Sequence, residues 1–187
     1  MKKAFLRTLI VLVAGAQLAL AHDPRTVAKD FSHTMSIEGA GKLTLSYKSL
    51  HYNEAAYLSV KQNERTLTNL NRLWKKIGKL DTDFDVMIGD VRVPKGSYDL
   101  GFNFDAKDNF KLVLGGAGNE ITIPLMAQTD GPVVNYLSFD LRPENATDTF
   151  TFEGRYGKIR TSAPLKVPYL AEQHDHAGEQ KPAEKKP

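Results

Sequence analysis

Between Phe84 and Phe104 the chain reads FDVMIGDVRVPKGSYDLGFNF, and apolar and polar residues alternate through three short runs. Phe84, Val86 and Ile88 interleave with Asp85 and Met87, and Val91 and Val93 flank Arg92. Tyr98, Leu100, Phe102 and Phe104 interleave with Ser97, Asp99, Gly101 and Asn103. A period of two puts one set of side chains on one face of an extended segment, so the stretch predicts antiparallel strands with a buried side. Aromatic and β-branched residues on that side suit a packed sheet. Gly89-Asp90 and Pro94-Lys95-Gly96 supply the turns, because proline presets φ and glycine accepts positive φ.

The same period recurs on both sides of this stretch. Thr34–Glu38 and Lys42–Lys48 flank Gly39-Ala40-Gly41, and Leu43, Leu45 and Tyr47 share a face, which predicts a hairpin. Ala56–Val60 predicts a further short strand. Phe110–Leu114 and Glu120–Ile123 pair across Gly115-Gly116-Ala117-Gly118, and Gln128–Pro132 is a loop. Val134–Arg142 turns Leu137, Phe139 and Leu141 inward. Thr149–Tyr156 puts Phe150, Phe152, Gly154 and Tyr156 on one side. Lys158–Val167, limited by Pro164 and Pro168, predicts one or two short edge pieces.

One segment changes period. Leu67, Leu70, Leu73, Trp74 and Ile77 recur at spacings of three and four, making an apolar stripe on a helix over Asn63–Ile77. Asn63 suits the N-cap, Glu64 the first turn, Lys75 and Lys76 the C-terminal end, and Gly78 the position just past it. Trp74 reads as a core anchor. The expected fold is an all-β antiparallel β-sandwich of about nine strands with one short amphipathic helix.

The two ends differ from this body. Lys2, Lys3 and Arg7 precede the apolar run Leu9–Gly15, and Ala19-Leu20-Ala21 has the small-residue form of a cleavage site. Residues 1–21 therefore read as a signal peptide whose removal leaves His22 first. Residues 22–32 form a polar lead-in and 33–170 the β-domain. Residues 171–187, charged and without large apolar side chains, form a tail expected to be disordered. The whole chain carries 25 basic and 22 acidic residues, but three of the basic ones lie in the signal peptide, so the mature chain is neutral. The basic balance of the whole chain thus gives no reason to expect nucleic acid as a partner, and stable membrane insertion is not expected once the signal is cleaved. The absence of cysteine excludes disulfides, thiolate metal sites and a lipid-modified cysteine.

Few residues suggest chemistry. A mature N-terminal His22 offers an amine and an imidazole that together could chelate copper, with a third nitrogen from His33, His51, His174 or His176. His174-Asp175-His176 is a short metal-attracting tract. His51-Tyr52-Asn53-Glu54 is a polar loop able to line a pocket. Asp81 with Asp83, or Asp85 with Asp99, could form an acid–base pair, although on strands they read more simply as solvent-facing positions. No G-x-S-x-G or H-E-x-x-H motif occurs, and the glycine cluster at 115–118 lacks the lysine of a phosphate loop. Asn145-Ala146-Thr147 matches a glycosylation sequon but reads as a turn.

Trp74-Lys75-x-x-Gly78, then Phe84-Asp85-Val86, then Val93-Pro94-Lys95-Gly96-x-Tyr98-x-Leu100, with the export signal before and paired strands after, resemble the DUF2911 family of exported bacterial proteins over roughly residues 40–168. The family's arginine and Gly-Ala-Asn run after its tryptophan is replaced here by Lys75-Lys76-Ile77-Gly78-Lys79. The resemblance implies an exported β-domain and transfers no catalytic residue. The functional expectation is a periplasmic or secreted binding or accessory module, its partner an unidentified small ligand or envelope protein. Copper binding at His22, His174 and His176 is one alternative, and an envelope glycan hydrolase is another.

Overall fold

The computed structural model describes residues 29–116, 119–144 and 149–168. Eleven strands and two helices lie among them. The strands are β1 (Lys29–Ile37), β2 (Gly41–Ser49), β3 (Gly78–Thr82), β4 (Val86–Ile88), β5 (Val91–Val93), β6 (Gly96–Phe104), β7 (Phe110–Gly115), β8 (Ile121–Gln128), β9 (Val134–Pro143), β10 (Thr149–Gly157) and β11 (Ile159–Lys166). Helices α1 (Glu54–Lys61) and α2 (Glu64–Trp74) run between β2 and β3. The all-β antiparallel class holds. All the strands belong to one sheet in the order β1-β2-β3-β6-β7-β8-β11-β10-β9, with the β4–β5 hairpin attached to β11. The two packed layers of the expected sandwich are the two halves of this curled sheet.

β8 is where the halves join. Ile121–Leu125 pairs with β7, and Met126–Gln128 pairs with β11. The strand thus runs beyond Ile123 to Gln128, further than its sequence suggested. β11 likewise lies in the interior of the sheet, a correction to the edge pieces expected over Lys158–Val167. It pairs with β10 along its length, with β8 at Arg160–Ser162 and with β4 at Leu165–Lys166. Pro164 is tolerated there for a geometric reason. Its carbonyl accepts from the Gly89 amide, 2.7 Å away, on the β4 side. A residue's N and C=O point to the same side of a strand, so the missing N–H falls in the gap between β8 and β4 and not on the β10 ladder.

The sheet nearly closes on itself. After β2 the chain crosses to β9, where Leu137 N–H donates to the Leu50 carbonyl and Tyr52 N–H to the Asn135 carbonyl, both at 2.8 Å. Ser49 Oγ donates to the Leu137 carbonyl at 2.6 Å. Beyond this seam β1 and β9 part. The interior is filled by the alternating residues of the central stretch and their partners. Phe102, Phe110, Phe139 and Phe152 are almost fully buried. Ring contacts link Tyr47 to Phe139, Phe139 to Phe102 and Phe102 to Phe110, with centroids 5.0 to 5.7 Å apart. Each such pair contributes roughly 0.5–1.5 kcal/mol beyond burial.

The helices pack at one end of the barrel. Ala56–Val60, expected as a strand, lies within α1. Asn53 caps that helix, its side chain accepting from Ala56 N–H, as Asn63 caps α2 by accepting from Thr66 N–H. Trp74 packs against Phe104 and Tyr156, at 5.9 and 5.3 Å between centroids. Leu73 departs from the expected stripe and is 67% exposed. Gly78 does not follow the helix as a cap but opens β3, where a Cβ would lie 2.2 Å from the Ser46 carbonyl oxygen. Lys29–Ser32, read as lead-in, belongs to β1.

Candidate functional site

Where β1 and β9 part, a groove of about 350 Å³ runs over the edge of β9. One wall is aromatic. Phe31 and His33 sit two residues apart on β1 and both stack on the ring of Tyr47, at 5.8 and 6.1 Å. Phe31 is 42% exposed, unusual for a residue on the inward-facing side of a strand. The floor is Ser138 and Asp140 of β9, and the far wall is Glu153 and Arg155 of β10. Lys29 reaches across the seam and places its ammonium 5.2 Å from the Tyr136 ring centre.

The charged wall is organised around one carboxylate. Glu153 is 2% exposed. Arg155 Nε donates to its Oε1 at 2.5 Å, and Arg160 donates through Nε and Nη2 to Oε2 at 2.8 and 2.6 Å. Arg142 Nη2 donates to the same Oε2. β-sheet register explains the convergence. Glu153 and Arg155 are two apart on β10, Arg155 is directly opposite Arg160, and Arg142 is opposite Thr151, so all face one side. Burial pushes the Glu153 carboxyl up, but the hydrogen bonds from Arg155 and Arg160 and the charges of Arg155 and Arg142 outweigh it and hold the group below its ordinary range. Two guanidiniums directly opposite each other repel, so Glu153 is what makes the arrangement tolerable. Arg142 Nε is buried and has no partner.

Other depressions are less suited to holding a ligand. One of about 450 Å³ over the outer side of β2, β3 and β6 is edged by Lys48, Lys76 and Lys79, and Lys76 is taken up by Asp99 at 2.8 Å. A cleft of about 400 Å³ opens where β8 leaves β11, lined by Ile123, Pro124, Met126 and Pro164 with the β4–β5 turn. It has no convergent charged group. At the helical end, Asp108 adopts the left-handed region (φ 61°) and accepts from Tyr57 Oη and from Lys61 Nζ, the latter at 2.5 Å. That contact ties α1 to the β6–β7 turn.

Of the residues singled out in the sequence for their chemistry, His33 alone among the described ones lines the groove. His22, His174 and His176 lie outside the described residues, as do the sequon at 145–147 and Ala117-Gly118 of the glycine cluster. His51 bridges to Tyr136, its ring edge-on to that tyrosine at 5.3 Å. Its neighbours are occupied too. Tyr52 packs on Tyr156, Asn53 caps α1 and Glu54 pairs with Lys158 at 3.1 Å. Among the described residues no three His, Asp or Glu side chains gather as a metal-binding group. Three of the four carboxylates of the expected pairs are held by other groups. Asp83 accepts from Lys42 N–H at 2.9 Å, Asp85 is held by Arg92 and the Lys95 amide, and Asp99 by Lys76.

Arg142, Glu153, Arg155 and Arg160 drew no notice in the sequence. The signal was the two-residue turn Gly157-Lys158, which pairs Tyr156 with Ile159 and so sets Arg155 against Arg160. No protein-family model matches the chain, and no curated protein or solved structure is similar to it.

Proposed function

We propose that this chain is an exported binding module whose ligand site is the groove between β1 and β9–β10. The observation that carries the reading is an aromatic wall, with Phe31 left exposed on it, facing a guanidinium fixed by a buried carboxylate. Apolar surface with a few oriented polar groups is the usual make-up of a small-molecule site. A rigid Arg155 is pre-organised, so little ordering cost attends binding. The N-terminal signal pattern and the resemblance to DUF2911 support export to the periplasm or beyond. Among the described residues no helix is long and apolar enough to cross a membrane.

Amide NMR of the isotope-labelled protein, titrated with flat aromatic fragments such as indole and benzoate, tests the site. The expected result is shifts concentrated at Phe31, His33, Ser138 and Asp140. Shifts gathered instead around Met126 and Ala163, with the groove silent, refute it.

A further inference from the structure

Next to the groove, on the far side of Arg155, lies a crevice of about 80 Å³. It is bounded by Arg155, Lys158 and Arg160 on the β10–β11 hairpin and by Gly131 and Pro132 on the loop before β9. The loop is pinned there, Gly131 N–H donating to the Lys158 carbonyl at 3.2 Å. Cations outnumber their partners. Of the cations that border it, Arg155 and Arg160 share Glu153 and Lys158 has Glu54, so three cations face two carboxylates, while Arg142, also on Glu153, lies outside the crevice on the same face as Asp140. Each arginine side chain is 43–44% exposed, while that of the glutamate they share is 2% exposed. A guanidinium carries five N–H donors, and Glu153 takes one from Arg142, one from Arg155 and two from Arg160. Apart from the buried Arg142 Nε, the remaining donors, with those of Lys158 not given to Glu54, are left for solvent or a ligand.

A structural ion pair needs no surplus. Three guanidiniums on one carboxylate, two of them directly opposite each other, leave a repulsion that an added anion would relieve. From this crevice we infer a seat for an oxyanion, a phosphate or phosphomonoester, drawn by the surplus cation and by the forked donors of Arg155 and Arg160. Arg155 borders both crevice and groove. A ligand with a phosphate at one end and a flat apolar body would therefore span the two. This part of the inference rests on the groove reading above; the oxyanion seat does not.

Calorimetric titration at low ionic strength, using inorganic phosphate and phenyl phosphate, separates a free oxyanion from one carried on an aromatic body. The wild type should bind both, and phenyl phosphate about tenfold more tightly. Arg160→Ala should weaken both by about tenfold or more, while Glu153 keeps Arg142 and Arg155 as partners and the fold is retained. Arg160→Lys, which keeps the charge and loses the fork, should fall between the two. Phe31→Ala should remove only the advantage of phenyl phosphate. Equal binding of the two probes with the Arg160 effect intact supports the oxyanion seat and sinks the groove. No binding of either probe to the wild type, or unchanged binding in Arg160→Ala, overturns the inference.

Discussion

The phenol oxygen of Tyr47 lies between the amide nitrogen and the carbonyl oxygen of Phe139, 3.0 and 3.2 Å from them, accepting from one and donating to the other. One hydroxyl thus does for β9 what a neighbouring strand residue would do, at the point where β1 has swung away. Further along the same edge, Leu141 N–H is taken by the Asp140 carboxylate at 2.9 Å, and Pro143 has no N–H to leave bare. No N–H of this edge from Phe139 to Pro143 is thus left open to pair with another chain. Tyr47→Phe keeps the ring and strands two buried backbone groups. A loss of about 1–3 kcal/mol in urea unfolding is expected, with faster hydrogen exchange at the Phe139 amide. Wild-type protection of that amide in the variant would contradict this account of the seam.

Asn71 performs the same service for β6. Its amide donates to the Phe104 carbonyl at 2.7 Å and accepts from Phe104 N–H at 3.2 Å, where β3 no longer accompanies β6. Asn71→Leu should cost about 1–3 kcal/mol although it raises the apolar character of α2. Thermal unfolding measures it. A melting temperature at or above the wild type would show that the backbone of Phe104 finds another partner.

Gly157 sits at φ 64° in the β10–β11 turn, and a Cβ there would lie 2.2 Å from the Tyr52 ring. Both the backbone conformation and the space select glycine. Gly157→Ala should lower stability by about 2–4 kcal/mol and disturb the Tyr52–Tyr156 ring contact, seen as changed near-ultraviolet dichroism. Because Arg155 and Arg160 flank this turn, the same variant should weaken phosphate binding more than its stability loss alone explains. Unaltered dichroism and melting would exclude the steric argument.

Among the described residues three carboxyls are held below their ordinary range. Glu153 has the causes given above, Asp85 has the Arg92 hydrogen bond and the Lys95 amide, and Asp105 has the side-chain amide and N–H of Asn109. Groups with a depressed folded pKa bind fewer protons folded than unfolded. Their contribution is complete above the unfolded value, near 4, and is lost as pH falls through the folded one. Stability should be level above about pH 5 and fall below about pH 4. Glu153→Gln should lose about 1–3 kcal/mol at neutral pH, less than for a fully buried pair because its arginines are part-exposed, and its acid limb should be shallower. Superimposable acid limbs would show that Glu153 does not carry this dependence.

The tyrosines set the opposite limit. Burial pushes the phenols of Tyr47, Tyr52 and Tyr57 up, aided at Tyr57 by the Asp108 hydrogen bond. Burial and then the charge of Tyr52 push Tyr156 up to about 12. A raised folded pKa means stability that is whole below the unfolded value of about 10 and lost as pH climbs past it. Phenolate absorbance from these four should therefore lag behind that of free tyrosine and rise together with unfolding. A single transition near pH 10 in a still-folded protein would dismiss the aromatic cluster as a barrier to ionisation.

Much of the strand pattern was legible because alternation is local. Phe84 to Phe104 shows its buried set, its turns at Gly89-Asp90 and Pro94-Lys95-Gly96, and its strand directions without reference to any partner. The helix expected over Asn63–Ile77 announced itself equally by period and by its Asn63 cap, although it ends at Trp74. α1 carried a matching Asn-Glu start at Asn53-Glu54, but with only Tyr57 buried along it its apolar stripe is too narrow to show. Pro164 read as a sign of an edge because proline's penalty depends on which side its missing N–H faces, and only neighbouring strands define that side.

Composition and periodicity in the chain alone thus determined that it folds as an antiparallel all-β domain with an aromatic interior and no disulfides. The tertiary structure decided which strands meet, and with that the gathering of Arg142, Glu153, Arg155 and Arg160 on one side and of Phe31, His33 and Tyr47 on the other. Alternation dictates which face a side chain takes, but register between strands far apart in sequence dictates its neighbours. A site made of such neighbours comes into being only when the sheet curls back toward its own first strand.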